Sequence, residues 1–181
     1  MFNFLGLLLN ILYIADMSFY QLQARQGLAV SQIEAWEFLC NPDNLSAITP
    51  DSMRFEILSR VTRPMFKGQI IQYKVSPFPG FKTRWVTEIT HLKSGEYFVD
   101  EQRFGPYSLW HHKHFLKSHE NGVIMEDVID YKLPLGILGR AIHGAFVRKQ
   151  LQKVFQFRYE KLKSLFGEIP GVEPNIQFRT I

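Results

Sequence analysis

The chain has 181 residues, 46% of them hydrophobic and 21% charged, which is enough for one domain with a sizeable core and cramped for two. Its net charge of +4, with no recognised binding motif beside it, argues against nucleic acid as a partner. The single cysteine, Cys40, excludes an internal disulfide and a thiolate-rich metal site, and fits a reducing, cytoplasmic setting.

Residues 1–15 carry no charge and are mostly Phe, Leu and Ile, and Asp16 closes the run. No basic residue precedes it, as a secretory signal requires, and it falls short of the roughly 20 apolar residues of a spanning helix. Three readings stand: an upstream extension with Met17 as the true start, a membrane-associating or atypical export segment, or a helix packed on the body. Residues 1–16 are therefore set apart as a leader, 17–167 as one domain, and 168–181 as an irregular tail.

A first strand is expected over residues 18–25, ended by Gly27. Ser31 with Glu34 three residues on has the form of a capping box, so a short helix follows, with Ile33, Trp36, Phe38, Leu39 and Cys40 as its apolar bulk. Asn41-Pro42-Asp43 breaks it, and a second short helix runs over 42–48 until Pro50. Strands then alternate over 53–60, 69–76, 82–92, 96–103, 109–118 and 123–132, joined by short turns as an antiparallel meander requires. The last of these turns is Asn121-Gly122, a strong tight-hairpin signal. A long helix is expected over 138–166, with Val147, Leu151, Val154, Phe155, Tyr159, Leu162, Leu165 and Phe166 at the spacing of one face. Gly167, Pro170, Gly171 and Pro174 end it.

This order predicts an α+β fold: a curved antiparallel sheet of about seven strands wrapped around the C-terminal helix, with two short helices after the first strand. A strongly twisted sheet curls around whatever packs on it. A long helix lying in the curl leaves a gap, and sixteen Phe and seven Tyr are many for this length, so the gap is expected to be an aromatic-lined cavity.

Within the meander, period two puts Trp110, His112 and His114 on one face of their strand, and Phe98, Asp100 and Gln102 on one face of the preceding one. A three-residue loop over 105–107 pairs Gln102 with Trp110, Asp100 with His112 and Phe98 with His114; a two-residue loop shifts the register by one and loses every pair. A two-residue Asn121-Gly122 turn sets Asp127 opposite Leu116 and Tyr131 opposite His112. In this register Asp100 hydrogen-bonds His112, fixes its tautomer and raises its pKa. Three readings stay open: a polar patch inside the cavity that anchors a ligand head group or moves a proton, an outward polar face of cross-strand pairs, or a buried network holding the hairpin together. The His112 and His114 pair has no clear third or fourth ligand, Asp100 being only a candidate third, so no metal and no cofactor is assigned. No nucleophile elbow or phosphate loop is present. The long helix is basic on its exposed side (Arg140, Arg148, Lys149, Lys153, Arg158, Lys161, Lys163), which reads either as a solvated face or as peripheral contact with an anionic membrane.

The order of elements, together with several motifs, resembles the helix-grip superfamily called SRPBCC or START-like, closest to its bacterial ligand-binding group. The motifs are Asn41-Pro42-Asp43-Asn44-Leu45 with Thr49-Pro50, Phe98 to Gln102, Gly105-Pro106-Tyr107, Trp110 to Phe115, Asp127 to Gly136, and Val147-Arg148. The resemblance covers residues 18–166. It implies a cavity for a hydrophobic small molecule, since the superfamily includes pollen-allergen-type lipid carriers, polyketide cyclases and coenzyme Q-binding proteins. The expected ligand is a lipid, a quinone or a polyketide-like ring, with Trp85, Phe98, Asp100, Gln102, Trp110, His112, His114, Tyr131 and Phe155 around it. The alternatives are a cyclase, dehydratase or hydrolase-type enzyme with His112 as base oriented by Asp100, and a membrane-surface interaction protein; whether any reaction is catalysed stays open.

Overall fold

The computed structural model describes residues 19–59, 64–78, 80–134 and 146–181. The leader therefore lies outside the described residues, as does the first part of the expected long helix. The elements in chain order are β1 (Tyr20–Leu28), α1 (Gln32–Leu39), 3-10 turns at Pro42–Leu45 and Asp51–Met53, β2 (Glu56–Ile57), β3 (Ile70–Phe78), β4 (Phe81–Lys93), β5 (Tyr97–Phe104), β6 (Leu109–His119), β7 (Gly122–Lys132), α2 (Arg148–Phe166) and β8 (Asn175–Thr180). The strands form one eight-stranded sheet in the order β2-β3-β4-β5-β6-β7-β1-β8, every pair antiparallel.

The capping box of α1 forms as expected: Ser31 Oγ accepts from the Glu34 backbone N–H, and the Glu34 carboxylate accepts from the Ser31 N–H. The expected second helix is instead a 3-10 turn over Pro42–Leu45; of the expected strand at 53–60, Met53 ends another 3-10 turn and only Glu56–Ile57 is strand.

Three further corrections concern the sheet. The first strand does not stop at Gly27 but runs on through it, because a bare Cα there lets Ile169 and Val172 pack within what would be tight contact of a Cβ. The tail is not irregular: β8 pairs with β1 over Tyr20↔Thr180 to Arg25↔Asn175, and Ile176 and Phe178 turn onto the core. Their period-two spacing was the available signal, masked by Pro170, Gly171 and Pro174 just before it.

The third correction is the β6–β7 register. His119 pairs with Gly122, so Glu120 and Asn121 make the turn, one residue earlier than the Asn-Gly signal suggests. Asn121 does not take the positive φ that the tight Asn-Gly turn needs. Gly122 serves a different purpose: at φ 144° it lies against the Leu28 carbonyl, where a Cβ would collide. The register moves by two, so Asp127 faces His114 rather than Leu116, and Tyr131 faces Trp110 rather than His112. An even shift keeps every side chain on its expected face.

Two register shifts between β4 and β5, at Val86/Thr87 and at Ile89/His91, bend the sheet. The concave face closes on α2 through Leu22, Ile129, Tyr131, Val147, Leu151 and Phe155. Burial of each such side chain stabilises by about 1.5–3 kcal/mol. Beside it, Leu28, Leu116, Val123, Met125 and Leu162 form a second cluster that reaches α1, while Ile71, Tyr73, Ile89 and Phe98 form a third under the 3-10 turns. Among the described residues no helix is long and apolar enough to cross a membrane.

Gly122→Ala forces a strained φ and a clash with backbone at once. It is expected to destabilise the fold by about 1–3 kcal/mol, read by urea or thermal unfolding.

Candidate functional site

Between the sheet and α2 the three clusters leave a cavity of about 180 Å³. Its walls are mostly apolar, with Ile71, Trp85, Phe98, Trp110, Leu151 and Phe155 among them. One wall is different: Asp100, His112 and His114 also face the space.

The polar wall follows directly from the register. Asp100 pairs with His112 across β5–β6, and His114 with Asp127 across β6–β7, so three adjacent strands put four titratable side chains on the concave face. Each imidazole spans two carboxylates. His112 Nε2 lies 2.9 Å from Asp127 Oδ1, and its Nδ1 lies 3.6 Å from Asp100 Oδ1. His114 Nε2 lies 2.9 Å from Asp100 Oδ1, and its Nδ1 lies 2.7 Å from Asp127 Oδ1, an approach too oblique for that nitrogen to donate. The two rings lie 3.7 Å apart between centroids, and Phe98 stacks on His114 at 4.1 Å. Thr87 Oγ1 donates to Asp100 Oδ2 at 3.1 Å. Arg158 of α2 approaches Asp127 at 3.8 Å while its guanidinium lies over the Phe155 ring at 4.8 Å.

These groups leave water together, and their titration divides. Burial, helped by the charge on His114, pushes His112 down to about 4 against the pull of Asp127, so His112 is neutral at pH 7. Its Nε2–H donates to Asp127, which leaves the Nδ1 lone pair toward Asp100. Burial also works against a charge on His114, but its contacts with Asp100 and Asp127 outweigh this and raise it. Both carboxyls are held below the usual range: burial opposes this, and the hydrogen bonds and charges of the two imidazoles prevail. The two carboxylates are thus balanced by Arg158 and the imidazolium of His114. A buried charge cluster of this kind adds little net stability over an apolar core, which directs attention to what it does.

Of the residues expected around a ligand, Trp85, Phe98, Asp100, Trp110, His112, His114 and Phe155 line one cavity. Two are elsewhere. Gln102 staples the β5–β6 hairpin, its Nε2 donating to the Tyr107 carbonyl at 2.6 Å and its Oε1 accepting from the Tyr107 N–H at 3.2 Å. Tyr131 is fully buried in the apolar core, beside Tyr20 and Trp110. The orienting partner of His112 is Asp127 and not Asp100, a consequence of the two-residue register shift, and the pKa of His112 falls rather than rises. Arg158, expected on the exposed basic side, is 8% exposed. Its position was legible, since it continues the apolar stripe of Leu151, Val154, Phe155 and Leu162. Tyr107 and Leu151 also line the cavity, and Tyr107 had no signal beyond its place in the hairpin loop.

No protein-family model matches the chain, and no curated protein matches it. Solved structures do. Protein CV1439 from Chromobacterium violaceum superposes with a TM-score of 0.64 at 13% identity, over 82% of this chain and 99% of that one. The major latex-like protein 151 of Panax ginseng superposes with a TM-score of 0.61 at 10% identity, over 82% and 97%. The fold is the helix-grip fold. The same fold recurs in the di-domain ARO/CYC protein StfQ of the steffimycin biosynthetic pathway, with a TM-score of 0.59 at 14% identity over 81% of this chain and 50% of that one. At these identities the likeness carries the fold alone.

Two tests address the cluster. Removing the Asp127 carboxylate leaves His112 Nε2 and Arg158 buried without their partner, so Asp127→Ala is expected to cost about 3–5 kcal/mol in unfolding experiments. Acid is the second. The unfolded chain protonates its histidines near pH 6.5, whereas folded His112 resists until about 4, so stability falls as pH drops across that interval. The depressed carboxylates add their own loss below about pH 4. His114, raised, works in the other direction, losing its contribution as pH climbs through its folded value. Thermal unfolding of His112→Gln between pH 6.5 and 4 is expected to show a flatter decline than the parent chain.

Proposed function

We propose that the chain binds a hydrophobic small molecule inside the sheet–helix cavity, with a polar end of the ligand turned to Asp100, His112 and His114. The observation that carries this reading is a mostly apolar cavity with Asp100, His112 and His114 gathered on one wall. Few convergent polar groups in an apolar pocket orient a ligand, while burial supplies affinity at about 25 cal/mol per Å². Size narrows the class. An engineered apolar cavity of about 150 Å³ in another protein takes up benzene, so about 180 Å³ suits one aromatic ring or a short branched chain. A quinone head or a polyketide-like ring with a carbonyl or hydroxyl oxygen fits this description better than a long acyl chain. The His112 Nδ1 lone pair and the Asp100 carboxylate offer acceptors to a hydroxyl on such a ring. The likeness to StfQ supports a ring-shaped ligand only at the level of the fold.

The second reading is an enzyme in which His112 takes a proton from the bound ligand. The orientation of its ring by Asp127, with a free lone pair toward Asp100, favours it. Its low proton affinity disfavours it, since a base that protonates near 4 is weak at pH 7. Binding is the stronger reading.

Native mass spectrometry of the full chain from its own host is expected to find a hydrophobic compound bound one to one. Val154→Phe fills the cavity from α2 at a cost of about 1–3 kcal/mol and is expected to lose the compound while still folding cooperatively. Protein that arrives empty and takes up no ring-sized apolar probe defeats the reading.

A further inference from the structure

The polar wall has the geometry of a metal centre. Asp100, His112 and His114 each bring one ligating atom within 4.8 Å of the other two. The distances indicate which atoms: Asp100 Oδ1 lies 3.6 Å from His112 Nδ1 and 2.9 Å from His114 Nε2. A zinc ion held at about 2.0–2.2 Å by imidazole and carboxylate sets its tetrahedral donors roughly 3.3–3.5 Å apart, a spacing that the two Asp100 distances bracket.

The outer atoms fit the same purpose. The remaining nitrogens, His112 Nε2 and His114 Nδ1, both converge on Asp127 Oδ1, at 2.9 and 2.7 Å. Metal-bound imidazoles hold their second N–H on a carboxylate, which fixes tautomer and ring orientation; His112 Nε2 already does so, and His114 Nδ1 is as close but needs its ring to turn before it donates. The other oxygen of Asp100 is held by Thr87. Hydrogen bonding alone serves the cage incompletely, since His114 Nδ1 is buried and meets no partner at a usable angle. The three inner residues face the cavity, whereas Asp127 stands behind them beside Arg158.

We propose that Asp100, His112 and His114 bind one divalent transition-metal ion, zinc being the best match to two imidazoles and a carboxylate, with Asp127 as the orienting carboxylate and the fourth coordination position open to the cavity. Both imidazoles are neutral when they coordinate, their protons on the outer nitrogens. With Asp100, Asp127 and Arg158 counted, the loaded centre keeps one positive charge. The open position therefore suits an anionic or enolate-like oxygen of whatever occupies the cavity. The proposal stands on the donor geometry and does not depend on the hydrophobic ligand.

The test is a titration of the full, untagged chain, stripped with a chelator, with Co(II), read by its visible absorption and by metal analysis. One Co(II) per chain, displaced by zinc, is expected. His112→Ala and His114→Ala are expected to abolish it. Asp127→Asn, which keeps an acceptor, is expected to preserve the stoichiometry and weaken binding about 10–100-fold. His91→Ala, on the outside of β4, is expected to bind like the parent chain. A folded parent chain that takes up no Co(II) overturns the proposal whatever the variants do, and so does binding that survives both histidine replacements. Neither result decides the cavity-ligand measurement, which reads the mass of a bound hydrophobic compound and not that of a metal.

Discussion

Two imidazoles clasped between two carboxylates, on the inner surface of three neighbouring strands, is the arrangement from which the rest of this molecule takes its meaning. An apolar hollow alone would be a packing defect, costly and without direction. With Asp100, His112 and His114 along one side and Asp127 behind them, the hollow has a polar wall in a mostly apolar lining. Neutrality makes the arrangement tolerable: Arg158 reaches in from α2 and balances the charge that the strands bring. Sheet and helix are thus joined electrostatically at the same place where they decline to pack.

The hollow has a mechanical origin. Register shifts between β4 and β5 bend the sheet away from α2, and the large rings of Trp85, Trp110 and Tyr107 pack against one another along the wall rather than across the space. The cluster that reaches α1 is closed by aliphatic side chains, whereas the one under α2 mixes them with Tyr20, Trp110, Tyr131 and Phe155.

Much of this was legible in the chain, and the failures have physical causes. The meander was readable because each strand keeps its period-two alternation and each turn has its glycine or proline. The β5–β6 register was readable because a loop of three residues leaves only one arrangement that pairs Asp100 with His112. The β6–β7 register was misjudged because Gly122 is selected for its closeness to the Leu28 carbonyl, and a sequence does not distinguish that need from the need for a turn. The exchange of Asp100 for Asp127 as the partner of His112 is the direct result. Arg158 was counted as a surface cation through its residue type, although its spacing placed it on the apolar stripe. β8 was missed because its pairing partner, β1, lies about 150 residues away in the chain, and long-range pairing leaves only a weak local imprint.

That last strand has a topological consequence. The Ile181 backbone N–H donates to the Phe19 carbonyl at 2.9 Å, so the two ends of the described domain meet side by side at one corner of the sheet. A domain whose ends touch is suited to insertion into a surface loop of another protein, or to fusion of its ends with the chain reopened elsewhere. The architecture is in effect a closed loop of chain, and where it is cut is a matter of genetics more than of physics.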